Sequence, residues 1–349
     1  MTHEPNSPRR IVQLAASNIP EVGLVVPVMK AKPTTVGVLC ATFTGVVWGG
    51  QFVVGKSALA RVDSFWLTTV RYAGAAVLLL GLLAMVEGGR ALWPGARVRE
   101  LAVLGTLGFA GFNLLAYTGL EHARPESASL IVALSPLLTA LVLWVRDRVR
   151  PSRLTLVCLV VALAGVSLVI SGGHLSTLWH GSLGVGDLLV LGGVLSFILY
   201  TIGAADHRDL SALRYTALTA ALGWPAILAA TLVGTAAGLL SAPSGSDWVA
   251  VTPELAYLAL PGAVIAVLCW NAAVERLGPQ TTALFGNLIP ISTFTIETIR
   301  GYRPSPLELV GALITVGALV ANNLLTRPRP AADQPEAEPE PHEELLEAA

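Results

Sequence analysis

The sequence predicts an all-α integral membrane protein whose ten transmembrane helices form two inverted five-helix repeats. Composition is the first reason, since 54% of the 349 residues are hydrophobic and only 13% are charged, which is too apolar for one soluble core. The second is that the apolar runs have the roughly 20 residues a helix needs to cross about 30 Å of hydrocarbon. The third is an internal repeat. A net charge of −1 also indicates no general attraction to nucleic acid.

The internal repeat is one segment written twice, at residues 121–136 and 275–290. It reads EHARPESASLIVALSP in the first copy and ERLGPQTTALFGNLIP in the second, at a constant offset of 154 residues. In each copy a proline starts an apolar helix, where its missing N–H costs nothing. A second proline, Pro136 or Pro290, then breaks that helix. Paired broken helices at matching positions of two halves are typical of the central cavity of a membrane transporter.

Four segments divide the chain. Residues 1–33 are polar and contain prolines, which predicts a mobile N-terminal arm; Met29 within it is a candidate native start. The two repeats are expected at 34–172 and 183–326. The Pro- and Glu-rich residues 327–349 predict a disordered acidic tail.

Within the repeats, the apolar runs predict ten membrane spans joined mostly by short connections. Their predicted bounds are 35–60, 64–86, 98–119, 125–145, 153–171, 185–204, 211–237, 253–274, 280–300 and 306–326. Lys and Arg are unequally divided between the two sides of these spans. The side with the N-terminus carries 16 of the 22, the other side 4, and the remaining two lie within spans. Because cytoplasmic loops carry the excess of positive charge, both termini are expected on the cytoplasmic side of the membrane.

Arg71 is the cation that stands out. It lies eight residues after Asp63, in an apolar span that continues to Val86. A charge at that depth is costly unless it faces a wet cavity or a partner. One interpretation is a structural arginine bonded to helix-end carbonyls or to a carboxylate. The other is a cation that orients a carboxylate or another acidic group of a solute.

Polar and aromatic side chains recur at depths where a lipid-facing helix would carry leucine. Some are expected only to bond one helix to another. Together they predict a cavity with neutral hydrogen-bonding groups and rings, suited to small organic solutes more than to bare ions. The predicted solute pathway consists of Trp48, Gln51, Arg71, Tyr72, Asn113, Tyr117, Ser135, Tyr200, Trp270, Asn271 and Asn287.

Three carboxylates near or within the spans are candidates to pair with Arg71 or to carry a coupling proton: Asp187, Glu275 and Glu297. The alternative for each is an anchor at the membrane interface.

A phosphate-loop pattern, GQFVVGKS at residues 50–57, lies inside an apolar span with no convincing strand before it, which favours helix packing over nucleotide binding. The sequence offers no constellation of catalytic or metal-binding residues, so we expect no enzyme activity, no cofactor and no metal.

Several motifs have a familiar form. They are VWGGQF at residues 47–52, TVRYAGAA at 69–76 and the run from YTGL at 117–120 to Ser135-Pro136, and the second copy repeats the pattern through 272–290 and 311–314. Over about residues 35–326 the sequence resembles the EamA domain of the drug/metabolite transporter superfamily. The resemblance implies a ten-helix inverted-repeat carrier in a bacterial inner membrane that exports amino acids or other metabolites. Family members often carry a Glu after the fourth and ninth spans, and here those places hold Asp147-Arg148-Val149 and Gly301-Tyr302-Arg303.

The leading hypothesis is therefore a secondary transporter of small organic metabolites that exports amino acids or related compounds by alternating access. One alternative is a polyspecific drug efflux carrier of the same fold. Another is a membrane receptor or scaffold that moves no solute. The expected partners are a small-molecule solute, the lipid bilayer and a coupling proton, with no nucleic acid. The sequence leaves the solute, the direction of movement and the oligomeric state open.

Overall fold

A computed structural model describes residues 33–148, 150–171 and 184–325. This part of the chain is helical and contains no strand. Seven of its helices are long and apolar enough to cross a membrane, or eight if one bent pair counts as a single span. The prediction of an all-α, multi-pass membrane protein is confirmed, while the count of ten spans remains a prediction. The predicted arm up to residue 32, with Met29, and the predicted tail lie outside the described residues.

The first half begins with two unbroken helices. In order, its helices are α1 (Pro33–Leu59), α2 (Ser64–Glu87), α3 (residues 98–122), α4 (Pro125–Ala133), α5 (Ser135–Asp147) and α6 (Arg153–Ile170). Two short 3-10 turns, Gly89–Leu92 and Gly95–Arg97, lead into α3. The start of α2 is fixed by Asp63, whose carboxylate accepts the backbone N–H groups of Phe65 at 2.9 Å and Trp66 at 3.0 Å. Such a cap satisfies donors that the helix itself leaves unpaired.

The second half is more interrupted. Its helices are α7 (Val185–Asp206), α8 (Ala212–Ala236), α9 (Gly245–Ala250), α10 (residues 252–277), α11 (Pro279–Ala283), α12 (Leu288–Ile299) and α13 (Pro306–Leu325). A 3-10 turn at Leu284–Asn287 separates α11 from α12. The ninth predicted span, 280–300, is therefore built from three short pieces.

The two halves break at matching places. Helices α4 and α5 are bent by 45° around Leu134, and the residue 154 positions later, Leu288, begins α12 after its 3-10 turn. Pro136 and Pro290 lie in the first turns of α5 and α12. Each proline thus follows its break, at a position where a helix tolerates a missing N–H.

A second irregularity is also duplicated. Helix α3 contains a π-helical segment at Thr106–Gly111, and α10 contains one at Leu258–Ile265. Gly108 and Gly262 occupy equivalent places in them, again 154 residues apart. A Cβ atom on Gly108 would lie 2.5 Å from the Tyr200 ring, and one on Gly262 would lie 2.7 Å from the Gln51 side chain. Both positions therefore require glycine for close approach.

The halves pack helix against helix across their boundary. The main pairs are α6 with α13, α3 with α7, α2 with α8, and α1 with both α10 and α12. The whole of residues 50–57 lies within α1, so the phosphate-loop pattern forms no loop. Its Lys56 ammonium instead donates to the carbonyls of Leu120, Glu121 and Ala123 at 2.5 to 3.0 Å, which satisfies the C-terminal end of α3. The cross-boundary pairs enclose an interior that both halves line.

Candidate functional site

A cavity of about 70 Å³ lies between the two halves. Helices α1 to α5 form one side of it and α7, α10, α11 and α12 contribute to the other. Eight of the eleven predicted pathway residues line it: Trp48, Gln51, Arg71, Tyr72, Asn113, Tyr117, Ser135 and Trp270. They come from five different helices, so the fold gathers side chains that are up to 222 residues apart in sequence.

The Arg71 guanidinium is the only charged group among the side chains described as lining this cavity. Its side chain is buried, with 1% of the residue exposed. One terminal nitrogen donates to the Tyr117 hydroxyl at 2.7 Å and to Gln51 Oε1 at 3.3 Å. The other donates to the Tyr72 hydroxyl at 3.0 Å and to Asn113 Oδ1. All four acceptors are neutral.

The contacts of Arg71 also include the faces of two rings. Its guanidinium carbon lies 4.6 Å from the centre of the Tyr72 ring and 4.9 Å from that of Tyr117, distances at which a cation is attracted to an aromatic face. No ion pair in the described parts of the chain includes Arg71. The structural interpretation in which a carboxylate or helix-end carbonyls hold this arginine does not fit these contacts.

The acceptors around Arg71 are themselves held in place. The Asn113 amide donates to the Tyr72 hydroxyl at 3.1 Å and to the Phe109 carbonyl at 2.9 Å. The Tyr117 hydroxyl donates to Gln51 Oε1 at 3.2 Å. Because each acceptor has a second contact, the guanidinium is fixed before any ligand arrives.

The π-helical segment of α10 connects this network to the second half. Its Gly262 carbonyl accepts the Trp48 indole N–H at 3.2 Å and the Gln51 amide at 3.4 Å. A π-helical turn shifts the usual hydrogen-bonding pattern of a helix, and such turns are frequent at functional sites. Here the carbonyl of one half anchors two cavity side chains of the other.

Aromatic rings form the apolar wall. The ring centres of Trp48 and Trp270 are 5.1 Å apart, and Trp48 meets Phe197 edge-on at 5.5 Å. Phe109 and Phe112 also line the cavity. The sequence prediction missed these three phenylalanines, because a phenylalanine in an apolar run looks the same whether it faces lipid or a cavity.

Three predicted pathway residues lie outside the lining. Tyr200 is fully buried, and its hydroxyl accepts the Asn271 amide at 2.8 Å, while the same amide donates to Thr216 at 2.7 Å. These contacts bond α7, α8 and α10 to one another. Asn287 is buried in the 3-10 turn before α12, and its Oδ1 has no partner in the described structure. Tyr200 and Asn271 therefore serve as contacts between helices beside the cavity.

The predicted coupling carboxylates also lie away from the cavity lining. Asp187 is buried in the first turn of α7, where its Oδ2 accepts the Gly184 backbone N–H at 3.1 Å. Glu275 is exposed and 3.4 Å from Arg276. Glu297 lies 3.8 Å from Arg300. In the part of the chain that the structure describes, no three His, Cys, Asp or Glu side chains are grouped to hold a metal ion.

A charge cluster that the sequence prediction missed joins the halves at one end of the bundle. Arg124, just before α4, donates to Glu308 Oε1 at 2.6 Å and to the Tyr302 hydroxyl at 3.0 Å. It also donates to the Val169 carbonyl at the end of α6. The Tyr302 hydroxyl donates to Glu308 at 2.9 Å. Burial, followed by this hydrogen bond, raises the pKa of Tyr302 to about 12.

A helical bundle of membrane-spanning length, with a polar and aromatic cavity between two similar halves, defines a multi-pass membrane protein of the carrier type. The sequence profile of the EamA-like transporter family matches residues 35–171 and 184–324. The chain belongs to that family, as its motifs predict.

Known relatives agree with this assignment. The chain is 31% identical to the uncharacterized transporter YrdR of Bacillus subtilis over 86% of this chain and 94% of the relative. It is 26% identical to an S-adenosylmethionine/S-adenosylhomocysteine transporter of Chlamydia trachomatis, over 70% of this chain and 75% of the relative. A solved crystal structure superimposes with a TM-score of 0.61 at 17% identity, over 83% of this chain and 97% of its own, which shows the shared fold.

Proposed function

We propose that this protein is a secondary transporter of small organic metabolites that works by alternating access. The observation that carries the proposal is the cavity lined by both halves, with Arg71 and Trp48 from the first and Phe197 and Trp270 from the second. A site held between two halves changes its access when one half moves against the other. A receptor or scaffold has no need of a buried cation facing such a cavity.

The proposed architecture is ten spans in two inverted five-helix repeats, at residues 34–172 and 183–326. The matching helix breaks at Leu134 and Leu288 and the paired π-helical segments support a duplication. The Lys and Arg count supports cytoplasmic termini, and the bacterial relatives support a bacterial inner membrane. An odd number of spans per repeat gives the two copies opposite orientations.

Amino acids and related metabolites are the proposed cargo and export the proposed direction, following the family resemblance. The relatives named for S-adenosylmethionine and S-adenosylhomocysteine support a small organic solute. A polyspecific drug efflux carrier is the second candidate. The apolar, ring-lined wall of the cavity is the observation that favours it.

Proton coupling is the proposed source of energy. Asp187 remains a candidate because it is buried and its Oδ1 has no partner in the described structure. Glu297 remains a candidate because its side chain is only 17% exposed. Glu275 is the weaker candidate because it is exposed.

Two glycines give a matched test of the cavity. Gly286 lines it, and a Cβ atom there would meet nothing within 4 Å. Gly74 offers the same free space but on the exposed surface of α2. Gly286→Leu is expected to fill the cavity and block flux, whereas Gly74→Leu should leave it unchanged.

The measurement is solute counterflow in proteoliposomes made with the purified full-length protein, across amino acids, organic acids, nucleosides and cationic drugs. We expect flux of at least one class, reduced tenfold or more (about 1.4 kcal/mol) in Gly286→Leu only. Absence of flux for every class, or equal flux in both variants, would count against transport through this cavity.

A further inference from the structure

Most of the unpartnered polar groups that line the cavity are hydrogen-bond donors. Arg71 Nε and Trp270 Nε1 are both buried and have no acceptor in the described structure. Arg71 and Trp270 line the cavity with 1% and 6% of each residue exposed. The Thr201 hydroxyl, which can donate or accept, is the third unpartnered polar group of the lining. The two nitrogens can only donate, so they suit an acceptor on a ligand.

The charge of the cavity also favours a ligand that accepts hydrogen bonds. Its described lining includes Arg71 and no Asp or Glu. Four N–H groups of the guanidinium are engaged by Tyr117, Gln51, Tyr72 and Asn113, none of which carries a negative charge. These neutral partners position the cation without cancelling it.

From these observations we infer that the cavity selects organic monoanions, carboxylates foremost, that carry an apolar body and no ammonium group. The inference rests on the proposed transport function and names the solute class for the same site. The carboxylate accepts from the Arg71 side of the cavity, and the body packs against the rings of Trp48, Phe197 and Trp270.

An ammonium group has no matching place in the cavity. Removing it from water is costly unless an anion compensates the charge, and the described lining supplies none. The positive charge of Arg71 adds repulsion. An α-amino acid would place its carboxylate well and its ammonium badly, so among the small organic metabolites of the proposed function the cavity favours organic acids over amino acids. Cationic drugs are disfavoured for the same reason.

The test uses ligands that share a body and differ only in charge. Phenylpropyl, indolylpropyl and hexyl bodies are each prepared as the carboxylate, the neutral amide, the α-amino acid and the amine. Binding to the purified full-length protein in nanodiscs is measured by calorimetry at neutral pH. We expect the carboxylate of at least one body to bind about tenfold or more tightly than its amide, as one charge-assisted hydrogen bond allows. Its amino acid and amine should bind more weakly still.

Two Arg71 variants assign the preference to this residue. Arg71→Lys keeps the charge and should keep the order of affinities, although its single ammonium lacks the fixed planar donors of arginine. Arg71→Gln removes the charge and should bring carboxylate and amide to equal affinity. The wild-type series tests the solute class even if a variant fails to fold.

Equal or tighter binding of the amine or the amino acid would overturn the inference, and so would failure of every carboxylate to bind. Flux in proteoliposomes separates this failure from that of the transport proposal. If zwitterions or cations move and carboxylates do not, the solute class is wrong and transport stands. If no solute of any class moves, transport itself fails.

Discussion

Two arginines of the first half, Arg71 and Arg124, are held in opposite ways. Arg71 is buried, and its acceptors are two tyrosine hydroxyls and two amide oxygens. Arg124 is 41% exposed at its side chain and binds the carboxylate of Glu308, which is 6% exposed. The arginine with the higher cost of burial is the one without a counter-ion.

We propose that the difference separates a charge that binds a ligand from a charge that stabilises the structure. The Arg124–Glu308 pair joins the start of α4 to the start of α13 and so links the two halves at that end of the bundle. In the described structure, the hydrogen-bond acceptors of Arg71 are first-half side chains from α1, α2 and α3. In the proposed transport function its charge remains available to a solute in the cavity.

The largest effect is expected from removing the cavity charge. Arg71→Ala should lower flux by about tenfold to a hundredfold, since the one guanidinium N–H left for a solute can form a charge-assisted hydrogen bond worth about 1.5 to 3 kcal/mol. Flux in proteoliposomes measures the loss, and size-exclusion chromatography checks that the variant remains folded. If the variant fails to accumulate in the membrane, the structural role of Arg71 is the dominant one.

Glu308→Gln should act on stability more than on solute selection. It leaves the partly buried Arg124 without its counter-ion, which we expect to lower the free energy of unfolding by about 2 kcal/mol, between the values for surface and buried pairs. Thermal unfolding in detergent measures the change. Glu275→Gln is the matched control, because its pair with Arg276 is exposed. Equal melting temperatures for the two variants would contradict the distinction.

Tyr117→Phe tests whether neutral acceptors only position Arg71. Losing the hydroxyl leaves a guanidinium N–H without its acceptor and should lower the free energy of unfolding by about 1.5 kcal/mol. The preference for an anion over a neutral amide should persist because the charge is still there. Tyr257→Phe is the control for the loss of a tyrosine hydroxyl that is not bonded to Arg71, since it removes a hydrogen bond to the Val47 carbonyl at 2.9 Å. A lost anion preference in Tyr117→Phe would show that the hydroxyl itself recognises the solute.

The smallest effect belongs to an exposed pair, Arg97 and Asp209, at 2.5 Å with side chains 46% and 59% exposed. The hydrogen bond from Arg97 lowers the pKa of the Asp209 carboxyl. This carboxyl therefore binds a proton more tightly in the unfolded chain than in the folded one, so the pair stabilises the fold at pH values above the ordinary Asp pKa of about 3.9. This contribution is lost as the pH falls through the lowered value. Asp209→Asn should slightly lower the melting temperature at neutral pH, and salt should remove the difference; an unchanged difference in high salt would contradict a screened surface pair.

The sequence was sufficient to predict the helical membrane fold and much of the cavity lining. Polar residues such as Gln51 and Asn113 stand out in apolar spans because a polar side chain that faces lipid is costly, so its presence indicates a cavity or a partner. That Arg71 has only neutral partners was not predictable, since those partners come from three helices whose packing is tertiary. The Arg124–Glu308 pair was missed because charges at helix ends look like ordinary interface anchors.

The count of spans and the irregular helical segments were also beyond prediction from the sequence. A broken segment such as 280–300 has the composition of a span, while its 3-10 turn depends on local backbone geometry. The π-helical segments at Thr106–Gly111 and Leu258–Ile265 also leave little trace in composition beyond their glycines. Their correspondence becomes visible only when both halves are folded.

Those two segments also bear on the history of the chain. A π-helical turn is the mark that one inserted residue leaves in an α-helix, and it is rare enough that chance coincidence at equivalent places is a poor explanation. The simplest account is that the insertion was already present in an ancestral half-length protein before its gene was copied and joined. On this account the irregular turn is older than the two-repeat chain.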